Sequence, residues 1–220
     1  MQRVVRLEQV LETSYMAWLS YENQHSRNNI YVAANPLRPG SRKRTKESIV
    51  SVRHLYIDID TDGDARLAAL RASELVPTPT SILSTSPGKY QVLWRVEDFC
   101  FERQEQTLKL LAIAFGGDPA CTDCNRVLRV PGFLNRKYDP AHRVTVEYPD
   151  DSIWTPDDFR LDAGAVDAML FGKAMACRKR PSKHSNSEKA ISRSRFSPTS
   201  PLISRNSGSS APSVCETSKT

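Results

Sequence analysis

Two aspartates carry the first chemical signal. Asp58 and Asp60 stand in His54-Leu55-Tyr56-Ile57-Asp58-Ile59-Asp60, where the even and odd positions differ in kind. Such alternation predicts a strand, on which residues two apart share a face. Leu55, Ile57 and Ile59 then enter a core, and the two carboxylates leave by the other face about 7 Å apart. An Asp between two isoleucines is disfavoured inside a sheet, and neighbouring like charges oppose each other's ionisation. A hard cation relieves both penalties, and carboxylate oxygens select Mg²⁺ or Mn²⁺. Metal ions on a few carboxylates can stabilise the attacking and leaving oxygens of a phosphoryl transfer. Such a site needs a third acid, and Asp118 and Asp123, in GGDPACTDCNRVLRVPG, are the candidates. Asp62 and Asp64 read instead as a polar turn after the strand.

Groups suited to phosphate lie nearby. Ser84, Ser86 and Lys89 sit on or beside the turn Pro87-Gly88, where hydroxyls, free backbone N–H groups and one ammonium could meet a triphosphate. Arg126 and Arg129 share a face if their segment is helical, whereas on a strand only one of them reaches the site. Asn135, Arg136 and Lys137 could contact a template backbone, which gives affinity without sequence choice. The basic loop Arg42-Lys43-Arg44 with Lys46 is a solvated loop or a further phosphate contact. Cys121-x-x-Cys124 has no second ligand pair, so ordinary thiols are expected rather than zinc. Trp18, Trp94 and Trp154 are expected in the core, with Trp94 able to border a nucleotide pocket. The four histidines form no His-hydrophobic-His pair, which argues against a rolling-circle relaxase.

The elements that must hold these groups are legible in outline. Apolar spacing predicts a helix over 4–24. A short strand at 30–34, a basic loop at 35–48 and the strand at 49–60 follow. A helix opens at 61–73, and two strand-like runs meet at Pro87-Gly88-Lys89 as a hairpin. A helix over 101–116 ends at Gly116-Gly117. A mixed stretch over 126–137, a last strand at 143–148 and a short helix over 155–171 complete the series. This order predicts an α+β domain on a mixed or mostly antiparallel sheet. No G-x-G-x-x-G follows a strand, which argues against a Rossmann fold.

Three blocks, LYIDIDTDG (55–63), STSPGKYQVLWRV (84–96) and FGGDPACTDCNRVLRVPGFLNRK (115–137), together resemble the RepB-like primase domain. That family is the plasmid and mobile-element branch of the archaeo-eukaryotic primase superfamily. The resemblance covers roughly residues 16 to 160. It implies an RRM-like sheet with flanking helices, a site for Mg²⁺ or Mn²⁺, nucleoside triphosphates as substrates and synthesis of short primers on a single-stranded DNA template. Asp58 and Asp60 match the first acidic motif and Asp123 the third. Gln91 stands where the wider superfamily has a phosphate-contacting histidine, and an amide can donate to phosphate but carries no charge. A replicative helicase or another replication initiator is an expected partner. Two other readings use the same residues: a noncatalytic nucleic-acid-binding remnant of a mobile element, and a metal-dependent phosphodiesterase.

Composition fits one domain with a tail. The 220 residues are 39% hydrophobic and 25% charged. The last 48 hold ten Lys and Arg, two Glu and thirteen Ser, a balance of +8, against 21 basic and 23 acidic residues, −2, before them. Residues 1–172 are thus expected to form the primase-like catalytic domain, and 173–220 a basic, Ser-rich disordered tail. The tail's charge suits nonspecific attraction to DNA or RNA. No run is long enough for a membrane span, the N-terminus does not read as a secretory signal, and five unevenly placed cysteines fit a reducing cytoplasm.

Overall fold

The computed structural model describes residues 2–178. The central sheet has four antiparallel strands: β2 (His54–Ile59), β3 (Ser81–Ser86), β4 (Lys89–Arg95) and β8 (Thr145–Glu147), in the order β2-β4-β3-β8. Two-stranded ribbons flank it: β1 (Tyr31–Ala33) with β5 (Val127–Arg129), and β6 (Leu134–Asn135) with β7 (His142–Arg143). The helices are α1 (Leu7–Val10), α2 (Thr13–Gln24), α3 (Gly63–Arg71), α4 (Phe101–Phe115) and α5 (Ala163–Arg178). All these strand pairs are antiparallel, which bears out the α+β expectation. Residues 173–178, the first six of the expected disordered tail, instead continue α5, and the rest of that tail lies outside the described residues. No helix among the described residues is long and apolar enough to cross a membrane.

The register of the sheet sorts its two faces. Leu55 pairs with Trp94, and Ile57 with Val92. Val92 also pairs with Ile82. These residues are buried with Leu67, Leu70, Leu108, Leu111 and Phe115 from α3 and α4. The opposite face carries Asp58, which pairs with Gln91, which in turn pairs with Leu83. Tyr56 lies on this second face and is also buried, so the strand is enclosed on both sides around its one intermediate carboxylate.

Several expectations change in detail. The helix foreseen over 4–24 breaks at Leu11-Glu12, where Glu12 is extended (ψ 136°) and caps α2. Leu7 and Leu11 are exposed, so the apolar spacing there has no core to face. The strand foreseen from residue 49 starts at His54, and Asp60 lies one residue beyond its end. Trp94 is fully buried and borders no nucleotide pocket, while Trp154 packs partly buried against the core. Trp18 lies outside the core cluster, because α2 buries only Asn23.

Gly117 fixes the loop that leaves α4. A Cβ there would stand 2.4 Å from Ile57 Cγ1 and 3.3 Å from the Asp58 carbonyl oxygen. Only a residue without a side chain lets this loop lie flat on β2. The Asp118 N–H then donates to the Asp58 carbonyl at 2.9 Å. Gly117→Ala should therefore push the loop off the strand, with a loss of about 1–3 kcal/mol, the usual range for overpacking, read by thermal or denaturant unfolding.

Candidate active site

A cavity of about 690 Å³ opens on the carboxylate face of the sheet. Its volume lies within the range of small-molecule sites, roughly 300–1,000 Å³. Asp58 on β2 and Asp60, one residue past its end, both line the cavity. The 118–126 loop, laid against β2 by Gly117, adds Asp118, Asp123 and Arg126. The β3–β4 hairpin adds Ser86, Lys89 and Gln91, and β5 adds Arg129. Acids from two segments distant in sequence thus meet a set of cations and hydroxyls around one space.

Each acid has a distinct environment. Asp58 is largely buried, and burial first, then the neighbouring Asp60, raises its carboxyl above the usual range. Gln91 Nε2 lies 3.4 Å from Asp58 Oδ2, a weak compensation. Asp60 Oδ1 accepts from Lys89 Nζ at 3.1 Å. Asp118 Oδ2 accepts from the Cys121 thiol at 3.0 Å, and its Oδ1 accepts the Ala120 N–H at 2.9 Å. These two bonds, the thiol's first, hold Asp118 below the ordinary carboxylate range. Asp123 Oδ1 sits 3.0 Å from Lys46 Nζ, which also bonds Glu105 at 2.6 Å. The Asp123 carbonyl accepts the Tyr56 hydroxyl from beneath.

Cys121 sits among these groups. Its sulfur is 3.9 Å from Asp58 Oδ2 as well as bonded to Asp118, and the Arg126 guanidinium donates to it. Burial, and then the bond to Asp118, push its thiol up to about 12, so it stays protonated and donates. Cys121 and Cys124 are both buried, with free thiols. Gln91 is equally committed: its Oε1 accepts the Arg129 N–H at 3.0 Å while its amide faces Asp58. The side chain foreseen as a phosphate contact thus ties β5 to the central sheet.

Of the residues foreseen for phosphate, Ser86, Lys89, Gln91, Arg126 and Arg129 line the cavity and Ser84 does not. Ser86 Oγ is buried on the cavity with no hydrogen-bond partner, and an orphaned hydroxyl of this kind is costly unless something fills its place. Ser84 is a correction. It pairs across β4 with Tyr90, which pairs in turn with Ile59, so it belongs to the helix-covered face. A bulge between Ser84 and Ser86 resets the alternation and delivers Thr85 and Ser86 to the cavity instead. Arg126 and Arg129 both line the site, although Arg129 is on a strand, because Arg126 precedes that strand and escapes its alternation.

The template group divides. Lys137 lines the cavity and is exposed. Asn135 lines it but is buried, donating to the Thr85 carbonyl at 2.8 Å and accepting the Lys137 N–H at 3.1 Å. Arg136 is turned away: its guanidinium donates to the Asn23 and Gln24 carbonyls at the end of α2. That position suits a cation, since helix C-terminal carbonyls carry partial negative charge. Sequence reasoning missed Tyr31, Asn125 and Tyr138 on the cavity wall, and left Arg44 as one of several loop cations. Tyr138 follows Asn135-Arg136-Lys137 directly, and its ring lies 5.7 Å from Lys89 Nζ and 5.6 Å from Lys137 Nζ.

The donor set fits a hard divalent cation at its two central members. Asp58 and Asp60 present carboxylate oxygens on one face, and the raised Asp58 marks negative charge without enough compensation. Among the described residues no three His, Cys, Asp or Glu side chains stand together as a ready metal cluster. Asp60, Asp118 and Asp123 are turned to Lys89, Cys121 and Lys46 respectively.

The fold is the one seen in archaeo-eukaryotic primase domains. The AEP domain of the cyanophage S-2L primase-polymerase superposes with a TM-score of 0.52 at 16% identity, covering 73% of this chain and 77% of that one. The catalytic domain of primase RepB′, solved in complex with initiator DNA, gives 0.53 at 24% identity, covering 82% and 84%. A further RepB′ structure gives 0.53 at 24% identity, over 81% of this chain and 55% of that chain. The chain belongs to the family of the RepB DNA-primase N-terminal domain, which matches residues 1–150. No curated protein sequence matches it. Family and fold together make it a primase-type replication protein.

Proposed function

We propose that this chain is a nucleotidyltransferase that joins nucleoside triphosphates into short primers on single-stranded DNA. One observation carries the reading: Asp58 and Asp60 face the same cavity as Lys89, Arg126, Arg129 and the unpartnered Ser86 hydroxyl. A pure nucleic-acid binder gains nothing from desolvated carboxylates turned toward its polyanionic ligand. A polymerising site does, because Mg²⁺ or Mn²⁺ held there lowers the pKa of the primer 3′-hydroxyl and neutralises the triphosphate.

The remaining work falls to side chains of this chain. Lys89 and the two arginines place positive charge around a triphosphate, and Ser86 Oγ donates to one of its oxygens. The 3′-oxygen then forms a bond to the α-phosphorus as the bond to pyrophosphate breaks. Lys137 and Arg44, which line the cavity, would meet the template's phosphates. Of the acids in the 118–126 loop, Asp118 shares the Cys121 thiol with Asp58, and we assign it the third carboxylate position.

The test is direct. Incubation with single-stranded DNA, labelled nucleotides and Mn²⁺ is expected to yield short labelled products. Shortening of labelled DNA with no incorporation would make the site a phosphodiesterase. Salt-sensitive DNA binding with neither product would make the chain a noncatalytic binder.

A further inference from the structure

A second cavity, of about 380 Å³, adjoins the first. The two share Tyr31, Arg44 and Val127 on their walls, so a ligand can pass from one to the other without leaving the protein surface. Their linings differ. The first is built around carboxylates. The second is walled by Tyr15, Trp18 and Tyr31, with Arg3 and Arg44 beside them. Its one acidic wall residue, Glu22, is engaged by Asn28 Nδ2 at 2.7 Å. Neither arginine is in an ion pair among the described residues.

These aromatic rings do not serve the core. Trp18 and Tyr15 stand outside the buried cluster, and Tyr31 is 46% exposed. Both Trp18 and Tyr31 already carry a flat group: the Arg3 guanidinium lies 4.2 Å from the Trp18 ring centre, and that of Arg129 lies 4.9 Å from the Tyr31 ring centre. A ring face that admits a planar cation admits a planar base. Aromatic platforms interleaved with arginines, in a groove leading from a phosphate-binding site, are the chemistry that holds unpaired nucleotides with little regard to sequence.

We infer that the second cavity seats a segment of single-stranded nucleic acid, its bases stacked on Tyr31 and Trp18 and its phosphates met by Arg44 and Arg3. This deepens the proposed function, on which it rests for the strand's role as template. The binding itself stands apart from catalysis and is measured without it.

The experiment titrates the full chain with a short fluorescent oligothymidylate. Trp18→Ala should weaken binding on the order of tenfold, with Trp18→Phe retaining most of the affinity, since one stacked base is worth roughly five- to a hundredfold. Arg44→Ala should reduce the salt slope of log K by about 0.7, the value for one phosphate contact on a single strand. Should Trp18→Ala not fold, intrinsic fluorescence of the folded Trp18→Phe variant decides. An unlabelled oligonucleotide should quench the wild type and leave the variant's emission unchanged. Undiminished binding by a folded Trp18→Ala, or full quenching in Trp18→Phe, would overturn the inference. Primer synthesis with Trp18-independent binding removes this site alone. Trp18-dependent binding with no synthesis under any condition removes the proposed activity alone.

Discussion

Asp58→Asn should lower nucleotide incorporation on the order of 10³-fold and, in the same protein, raise stability by about 1 kcal/mol. The two effects have one cause. Asp58 is a carboxylate removed from water, with Asp60 as a like-charged neighbour and only weak compensation from Gln91 at 3.4 Å, the Cys121 thiol at 3.9 Å and the charge of Arg126. The folded state therefore holds a negative charge at a cost, which the amide removes without altering shape. The amide oxygen of the variant can still accept from Gln91. What is lost is the charge that would hold a divalent cation, and loss of one aimed electrostatic group typically costs about 10²–10³-fold. Asp60→Asn should also reduce incorporation, but with little change in stability, since its partner Lys89 meets it in a half-exposed position where ion pairs contribute about 0.2–1 kcal/mol. Incorporation rates and thermal melting measured on the same preparations give both readings. Full activity in Asp58→Asn would end the catalytic assignment. A sharp fall in melting temperature would make Asp58 a structural residue.

The sequence shows some of this and hides the rest for definable reasons. Asp58 and Asp60 are legible because strand alternation is local: Leu55, Ile57 and Ile59 declare one face and the carboxylates declare the other. The α3 and α4 helices and the β3–β4 hairpin are legible for the same reason, through apolar spacing and the Pro87-Gly88 turn. Ser84 is not, because its facing depends on a bulge two residues later, which a serine-rich strand does not announce. Arg126 and Arg129 reach one cavity because the strand begins between them, a boundary no pattern of apolar residues marks. Trp18 looks like core material in sequence, yet α2 is packed through Asn23, whose side chain bonds the backbone at Asn28 and Leu134. The commitment of Gln91 to Arg129 is likewise a tertiary fact, set by the approach of β5 to β4.

Asp118→Asn is expected to cost on the order of 10²-fold in incorporation, and Asp123→Asn less than about tenfold. The resemblance points to Asp123; the geometry points to Asp118. The Asp118 backbone is bonded to that of Asp58, Gly117 removes the side chain that would hold them apart, and the carboxylates of Asp118 and Asp58 approach one sulfur, at 3.0 and 3.9 Å. Its bonds from Cys121 and the Ala120 N–H favour the ionised form, which a metal site requires of a carboxylate ligand. Asp123 shares Lys46 with Glu105, and its side chain is 46% exposed. A half-exposed pair of this kind is screened by solvent and contributes little when broken. Asp123→Asn removes one of the two acids that raise the proton affinity of Lys46, the smaller contributor after Glu105. The ammonium therefore stays charged and held by Glu105. Incorporation by the two variants, compared at saturating Mn²⁺ and matched fold by circular dichroism, decides between the acids. The reverse order of effects would move the third carboxylate to Asp123 and leave Asp118 as a positioning group for the loop.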